Sequence, residues 1–245
     1  MAVTGSAETY ELNWGAGRSR AFPLRLARSM VRFARRKPLG LLGLLFVVGI
    51  LFTALLAPTL APYSPNKLDL RHRLQGSTAR HRLGTDSTGK DILSRLIYGA
   101  RISMTVGFGA VAISSVGAAV LGMVSGYAGG WVDTLLQRFI DAWQALPGLI
   151  ILITFLGIVR RLPNVNIVLA MILAIGVLGI AGLSRVIRSA VLSLRASPFI
   201  EAAQASGSGS LRILVYHILP NVFPLILVTA TVGLVGVILA EASLS

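Results

Sequence analysis

The chain has 245 residues, 54% apolar and only 13% charged, with a mean hydropathy of +0.76 and a net charge of +14. Soluble domains carry about 25% charged residues, so this composition excludes an ordinary water-soluble domain, and the lack of cysteine excludes disulfides and cysteine-held metal. The basic residues flank apolar runs, a placement that suits lipid headgroups and argues against nucleic-acid binding.

Residues 1–38 read as a cytoplasmic tail. Within it, Leu26, Met30 and Phe33 recur at helical spacing beside a stripe of Arg25, Arg28, Arg32 and Arg35. This pattern predicts an amphipathic helix over 22–37 lying in the headgroup layer. No apolar leader precedes the first span, so no cleaved signal peptide is expected.

Five stretches then lack any Asp, Glu, Lys or Arg: 38–66, 102–132, 142–159, 162–184 and 213–240. A helix crossing the roughly 30 Å hydrocarbon layer needs about 20 apolar residues. The expectation is an all-α integral membrane protein with five spans, near 39–61, 101–125, 136–159, 163–184 and 218–241. Residues 62–98 form a segment outside the membrane, and 99–245 the main bundle. With the N-terminus inside, 13 of the 23 Lys and Arg fall on the cytoplasmic side. That bias is small, and the dense cluster before the first span adds to it. Residues 62–98 are then extracytoplasmic.

Glycines recur along the spans: Gly122, Gly126 and Gly130 at four-residue steps, Gly176, Gly179 and Gly182 on the fourth span, Gly233 and Gly236 on the fifth. Small residues let helix backbones approach closely in lipid, so Gly122, Gly126, Gly130, Gly179 and Gly182 are expected packing positions. Arg138 and Asp141, three apart, are expected to pair.

Gly84, Gly89 and Lys90 match the spacing of a phosphate-binding loop, but Asp91 stands where that motif needs Ser or Thr for Mg²⁺. The residues before it are strongly polar, where a phosphate loop follows a buried strand. A surface turn leading into a helix is the better reading. Thr85, Asp86 and Ser87 are the turn and cap residues, and Asp91 and Arg95 pair four apart.

Residues 185–217 interrupt the apolar pattern. Ser197 and Pro198 form a helix start, Gly207 and Gly209 a break, and Ser210 a second start running through Leu219 and Pro220 into the last span. A helix–turn–helix projection between two spans is predicted.

The block Glu201-Ala202-Ala203, Gly207 and Leu219-Pro220 resembles the EAA loop of ABC importer permease subunits. His217, where many members carry Ile, matches the variant of the dipeptide, oligopeptide and nickel subfamily. The block from Gly84-Thr85-Asp86 to Gly99-Ala100-Arg101-Ile102-Ser103 resembles that subfamily's conserved segment, with Lys90 for Arg. Asp141 and Pro147 fit as well. The likeness spans roughly 38–245 and is closest to the "C" type dipeptide permease.

This resemblance implies a type I ABC importer transmembrane domain, whose sixth helix is expected to be missing here by truncation. It implies a permease subunit in the cell membrane, forming half of a pathway for dipeptides or oligopeptides. It implies no cofactor and no catalytic residue, since ATP hydrolysis belongs to cytoplasmic ATP-binding subunits. Those would grip the chain through Glu201, Ala202, Ala203, Gly207, His217, Leu219 and Pro220. A second homologous permease, an extracytoplasmic solute-binding protein and the lipid bilayer complete the expected partners. Nickel or another small solute is the alternative cargo. An ion-coupled secondary transporter would need ionisable groups deep in the spans, whose interiors are empty of them, with Asp141 lying near an end.

Overall fold

The computed structural model describes residues 37–244. The amphipathic helix expected over 22–37, and the tail before it, lie outside these residues apart from Lys37. The chain divides into the units Met1–Ile50 and Leu51–Ser245. Of the first, the described part is Lys37 and the N-terminal portion of helix α1 (Pro38–Leu55), an uncharged run rich in Leu, Val and Gly.

In the second unit, α2 (Ala57–Leu60) follows, and a loop segment with one 3₁₀ turn at Leu70–His72 leads to α3 (Ile92–Ala128). Next come α4 (Gly130–Gln144), α5 (Gly148–Val159) and α6 (Ile167–Arg195), then the short α7 (Pro198–Ala205). The last helix, α8 (Ser210–Leu244), is π-helical over Ile213–Ile218. No β-strand occurs among the described residues; Thr85 and Asp91 form an isolated bridge.

Helices α1, α3, α6 and α8 are each long and apolar enough to cross a membrane, and α4 with α5 makes a fifth span if the bent pair counts as one. The third expected span is thus corrected: α4 and α5 meet at a 72° bend. Pro147 explains it. Its ring disfavours helical geometry at Leu146, and it has no N–H to continue the ladder. Its own ψ of 114° is extended, so it caps α5 instead of joining α4. The second span also starts earlier than expected. At 37 residues, α3 is about 55 Å long and overruns the hydrocarbon layer.

The most extensive pairing joins α3 and α6. Gly109 faces Ile172, Gly117 faces Ile180 and Gly126 faces Val191, so the two helices run parallel. Close approach is needed where a Cβ on Gly122 would stand 2.7 Å from the Ser184 carbonyl oxygen, and on Gly126 2.9 Å from that of Arg188. Gly176 meets Ile113 at 2.9 Å and Gly179 meets Ser114 at 3.0 Å in the same way. Gly182 has only ordinary contact with the Gln144 amide at 3.6 Å.

Gly130 departs from the expectation. Gly129 and Gly130 have φ of 65° and 55° and turn the chain from α3 into α4, and nothing lies within 4 Å of a Cβ at Gly130. Gly233 and Gly236 are likewise open. Gly122→Val is therefore expected to destabilise the purified chain by about 1–3 kcal/mol, because backbone cannot move aside as a side chain can. Gly233→Ala should be neutral or slightly stabilising through helix propensity. Thermal unfolding in detergent checks the contrast, and equal effects would contradict this packing.

α8 runs antiparallel to α3: Gly107 faces Leu234 and Ile238, and the Ser103 hydroxyl donates to Glu241 at 2.8 Å. These registers separate two ends of the bundle. At one end lie the starts of α3 and α6, the end of α8 and the 62–91 segment, tied in by the Tyr63 amide donating to Ser94 at 3.1 Å. At the other lie the ends of α3 and α6, with α7 and the start of α8 packed around Ile187, Val191, Ile200, Ile213 and Ile218.

Candidate functional site: the α6–α7–α8 elbow

The expected polar interruption begins later than predicted, because α6 continues as helix to Arg195. Ser197 has the extended backbone of an N-cap, with Pro198 at the first helical position. Its hydroxyl, however, donates to the Leu194 carbonyl and does not cap α7. One side chain anchors this short helix: Ile200 is fully buried against the end of α6 and the start of α8. Burying such a side chain is worth about 1.5–3 kcal/mol, enough to seat an eight-residue helix with little intrinsic stability.

The helix stops at Gly207. Its φ is 77°; the Gly207 amide donates to the Gln204 carbonyl at 2.9 Å and the Ser208 amide to Ala203 at 3.0 Å. This bond pair is the Schellman stop, which needs a left-handed residue and so favours glycine. Gly209 is not part of it, with φ of −67°.

Glu201, Ala202 and Ala203 form one turn of α7. Glu201 and Ala202 are exposed and Ala203 packs on the core. No ion pair engages Glu201 among the described residues. Exposed Phe199, Leu211 and Tyr216 add apolar surface to the elbow. His217 and Leu219 are half-buried and Pro220 exposed. Pro220 and Pro224 cannot donate backbone hydrogen bonds, and the helix widens to π geometry just before the first of them. The Asn221 side-chain amide donates to the His217 carbonyl at 2.6 Å.

Two ion pairs absent from the sequence-based expectations tie α4 to the α6 end of the elbow. Arg188 holds Asp133 through two nitrogens, and Asp133 also accepts from the Ser125 hydroxyl. Gln137 donates to that hydroxyl at 3.1 Å. Arg185 pairs with Asp141 at 2.6 Å, which replaces the expected Arg138–Asp141 pair. Asp133, Gln137 and Asp141 share one face of α4 at i, i+4 and i+8, while Trp131, Leu135 and Phe139 are exposed on another. The four-residue recurrence of polar groups, with Arg185 and Arg188 three apart on α6, was the signal in the sequence. Gln204 reaches the Tyr127 hydroxyl at 3.4 Å, adding a link from α7 to the end of α3.

At the opposite end, the phosphate-loop look-alike is already occupied by its own chain. The Thr88 and Lys90 amides donate to the Asp86 carboxylate at 2.8 and 2.9 Å. The Thr88 hydroxyl leads these donors in holding the Asp86 carboxyl well below the usual carboxylate range, with Lys90 next. These two amides are therefore turned onto Asp86 and not toward a phosphate. Arg95 pairs with Asp86, which corrects the expected Asp91–Arg95 pair. Asp91 is instead the N-cap of α3, accepting from the Ser94 amide at 2.8 Å, and it bonds His81 at 2.9 Å. Burial pushes its carboxyl up, and the bonds from Ser94 and His81 outweigh that, leaving it below the ordinary value.

Comparison with known proteins agrees with this architecture. Residues 118–245 match the family of binding-protein-dependent transport system inner membrane components. Residues 26–76 match the N-terminal TM domain of oligopeptide transport permease C. The chain is 36% identical over 217 residues to the dipeptide transport system permease protein DppC of Alkalihalophilus pseudofirmus, covering 89% of this chain and 70% of the relative. It is 35% identical over 212 residues to the protein of the same name in Haemophilus influenzae, covering 84% and 70%. With the di/tripeptide transport system permease protein DppC of Pseudomonas aeruginosa it shares 34% over 232 residues, covering 92% and 75%. The bundle of apolar helices, the α7 elbow and these matches together place the chain in the binding-protein-dependent transport inner membrane component family, as a permease subunit of the ABC importer type.

Proposed function

We propose that this permease subunit carries dipeptides or oligopeptides inward across the cell membrane, and that the α7 elbow is where a cytoplasmic ATP-binding subunit drives it. The observation that carries the reading is the form of α7: a short helix with Glu201 and Ala202 outward and Ala203 on the core, capped at Gly207. Ile200 seats it on the two helices that bracket it. A push on α7 reaches α6 and α8 as a rigid displacement, because packed interiors transmit strain. From α6 it passes to α4 through Arg188–Asp133 and Arg185–Asp141, and so to the bend at Pro147. Alternating exposure of a central path then follows from moving packed helices about that bend. The peptide cargo is supported by the names of the relatives.

The position of the 62–91 segment and the elbow at opposite ends of the bundle supports an elbow inside and that segment outside, with the basic tail before α1 cytoplasmic. This chain supplies half of the pathway. A second homologous permease supplies the rest, and an extracytoplasmic solute-binding protein delivers the cargo. The test is uptake into proteoliposomes holding the full transporter. Labelled dipeptide should accumulate only with ATP and the binding protein present. Accumulation of Ni²⁺ but not dipeptide, or uptake driven by an ion gradient without ATP, would overturn the assignment.

A further inference from the structure

At the end of the bundle opposite the elbow, the last turn of α8 meets the start of α3 and the end of α5. Glu241 lies in that turn and is 7% exposed. Among the described residues its carboxylate has one hydrogen-bond donor, the Ser103 hydroxyl of α3 at 2.8 Å, and no ion-pair partner. A carboxylate offers about four acceptor sites, and a buried charge with a single neutral donor is costly. The position adds to that cost. The free carbonyls of a helix end carry partial negative charge, and no basic residue stands in this turn of α8. Arg160, just past α5, donates to the Leu244 carbonyl at 3.2 Å and not to Glu241.

The remaining contacts here are apolar. A Cβ on Gly107, one turn along α3 from Ser103, would stand 3.0 Å from Leu234 of α8. Val237 and Leu244 pack on the cluster around Val106, Leu156 and Val159. Among the described residues, Ser103–Glu241 and Arg160–Leu244 are therefore the side-chain hydrogen bonds that fasten α8 to other helices. The other end of the same helix sits in the elbow core, at Ile213 and Ile218. α8 spans 35 residues between the two, about 52 Å.

We propose that Glu241 is the gate residue of the outer mouth: its bond to Ser103 holds α8 against α3 while the path is shut on that side, and breaks when that side opens. The inference rests on the permease reading above. Glu241 is a positioning residue, acting on the path through α8. A push on the elbow moves the start of α8, and the contact at its far end resists. By linkage, whatever holds the outer end shut opposes the elbow state that the ATP-binding subunit favours. A contact so poorly supplied with donors is suited to release, because water admitted on opening brings the hydrogen bonds that Ser103 alone cannot.

The experiment uses the full transporter in nanodiscs, with purified solute-binding protein and labelled dipeptide. Glu241→Leu is expected to raise ATP hydrolysis in the absence of binding protein about fivefold or more, while uptake falls. Ser103→Ala should act in the same direction, and combining the two should add little. Glu241→Gln keeps an acceptor for Ser103 and should fall between. Thr105→Ala, exposed and bonded within α3, should stay within about twofold of wild type. The chain has no native cysteine, so Ser103→Cys with Glu241→Cys can be bridged by a short bis-thiosulfonate linker. Bridging should be fast in the resting transporter, slow about fivefold when ATP and vanadate trap it, and block uptake until a reductant frees the thiols. Bridging at one rate in both states, uptake by the bridged transporter, or wild-type basal hydrolysis in Glu241→Leu overturns the gate. If Glu241→Leu does not assemble, Ser103→Ala, which removes only a hydroxyl, decides by the same measurement. A wild-type transporter that takes up no dipeptide with ATP and binding protein would instead sink the permease reading, and the gate with it.

Discussion

Gly207→Val is expected to cut ATP-driven uptake by about tenfold, while the partner ATPase keeps turning over. The reason lies in the backbone. Nothing stands within 4 Å of a Cβ at Gly207, so bulk alone does no harm. Its φ of 77° is the obstacle: a left-handed conformation costs an ordinary L-residue about 1–2 kcal/mol, and more with a branched Cβ. Relieving that cost means losing the paired bonds to Gln204 and Ala203 and letting the end of α7 swing. A shift of about 1.4 kcal/mol is tenfold in an equilibrium. Asn visits this conformation readily, so Gly207→Asn should stay near wild type. Glu201→Lys works differently: the residue is exposed, so the fold should survive while ATPase attachment weakens. Uptake and hydrolysis both unchanged in Gly207→Val and Glu201→Lys would contradict the lever role of α7.

Breaking the Asp133–Arg188 pair should cost more stability than breaking Asp141–Arg185. The first pair is 15% and 28% exposed at its side chains, the second 54% and 43%. Removing one partner of a fully buried pair costs about 3–5 kcal/mol; with this residual exposure, Asp133→Ala is expected to cost about 2–3 kcal/mol. Arg185→Ala should cost under about 1 kcal/mol. The double change Asp133→Leu with Arg188→Leu should be milder than Asp133→Ala alone, because no lone charge is left between α3, α4 and α6. A double-mutant cycle by thermal unfolding measures this directly. Additive losses at the two positions would show that they do not act as a pair.

How much of this was legible in the sequence follows from the range of the forces involved. Uncharged runs announce spans because lipid tolerates nothing else, and Ser197-Pro198 with Gly207 announces α7 because caps are local chemistry. The Pro147 bend hid inside an uncharged run, where composition alone reads as one continuous span. Arg188 and Asp133 are 55 residues apart, and Arg185 and Asp141 are 44 apart. Local spacing rules favoured Arg138–Asp141 and Asp91–Arg95 instead. Asp91 was unavailable because its carboxylate turns back to cap its own helix, leaving Arg95 to Asp86. Gly130 keeps the four-residue step of Gly122 and Gly126, but the helix ends one residue earlier, at the left-handed Gly129. Only the parallel register of α3 and α6 reveals which glycines meet a neighbour.

The account stands or falls on which side of the membrane α7 occupies. The chain has no native cysteine, so Ser206→Cys, at the exposed end of α7, provides a unique thiol. In intact cells it should resist a membrane-impermeant maleimide and react fully once the cytoplasmic face is opened. Rapid labelling in intact cells would put the elbow outside, beyond reach of any ATP-driven subunit, and would contradict the account.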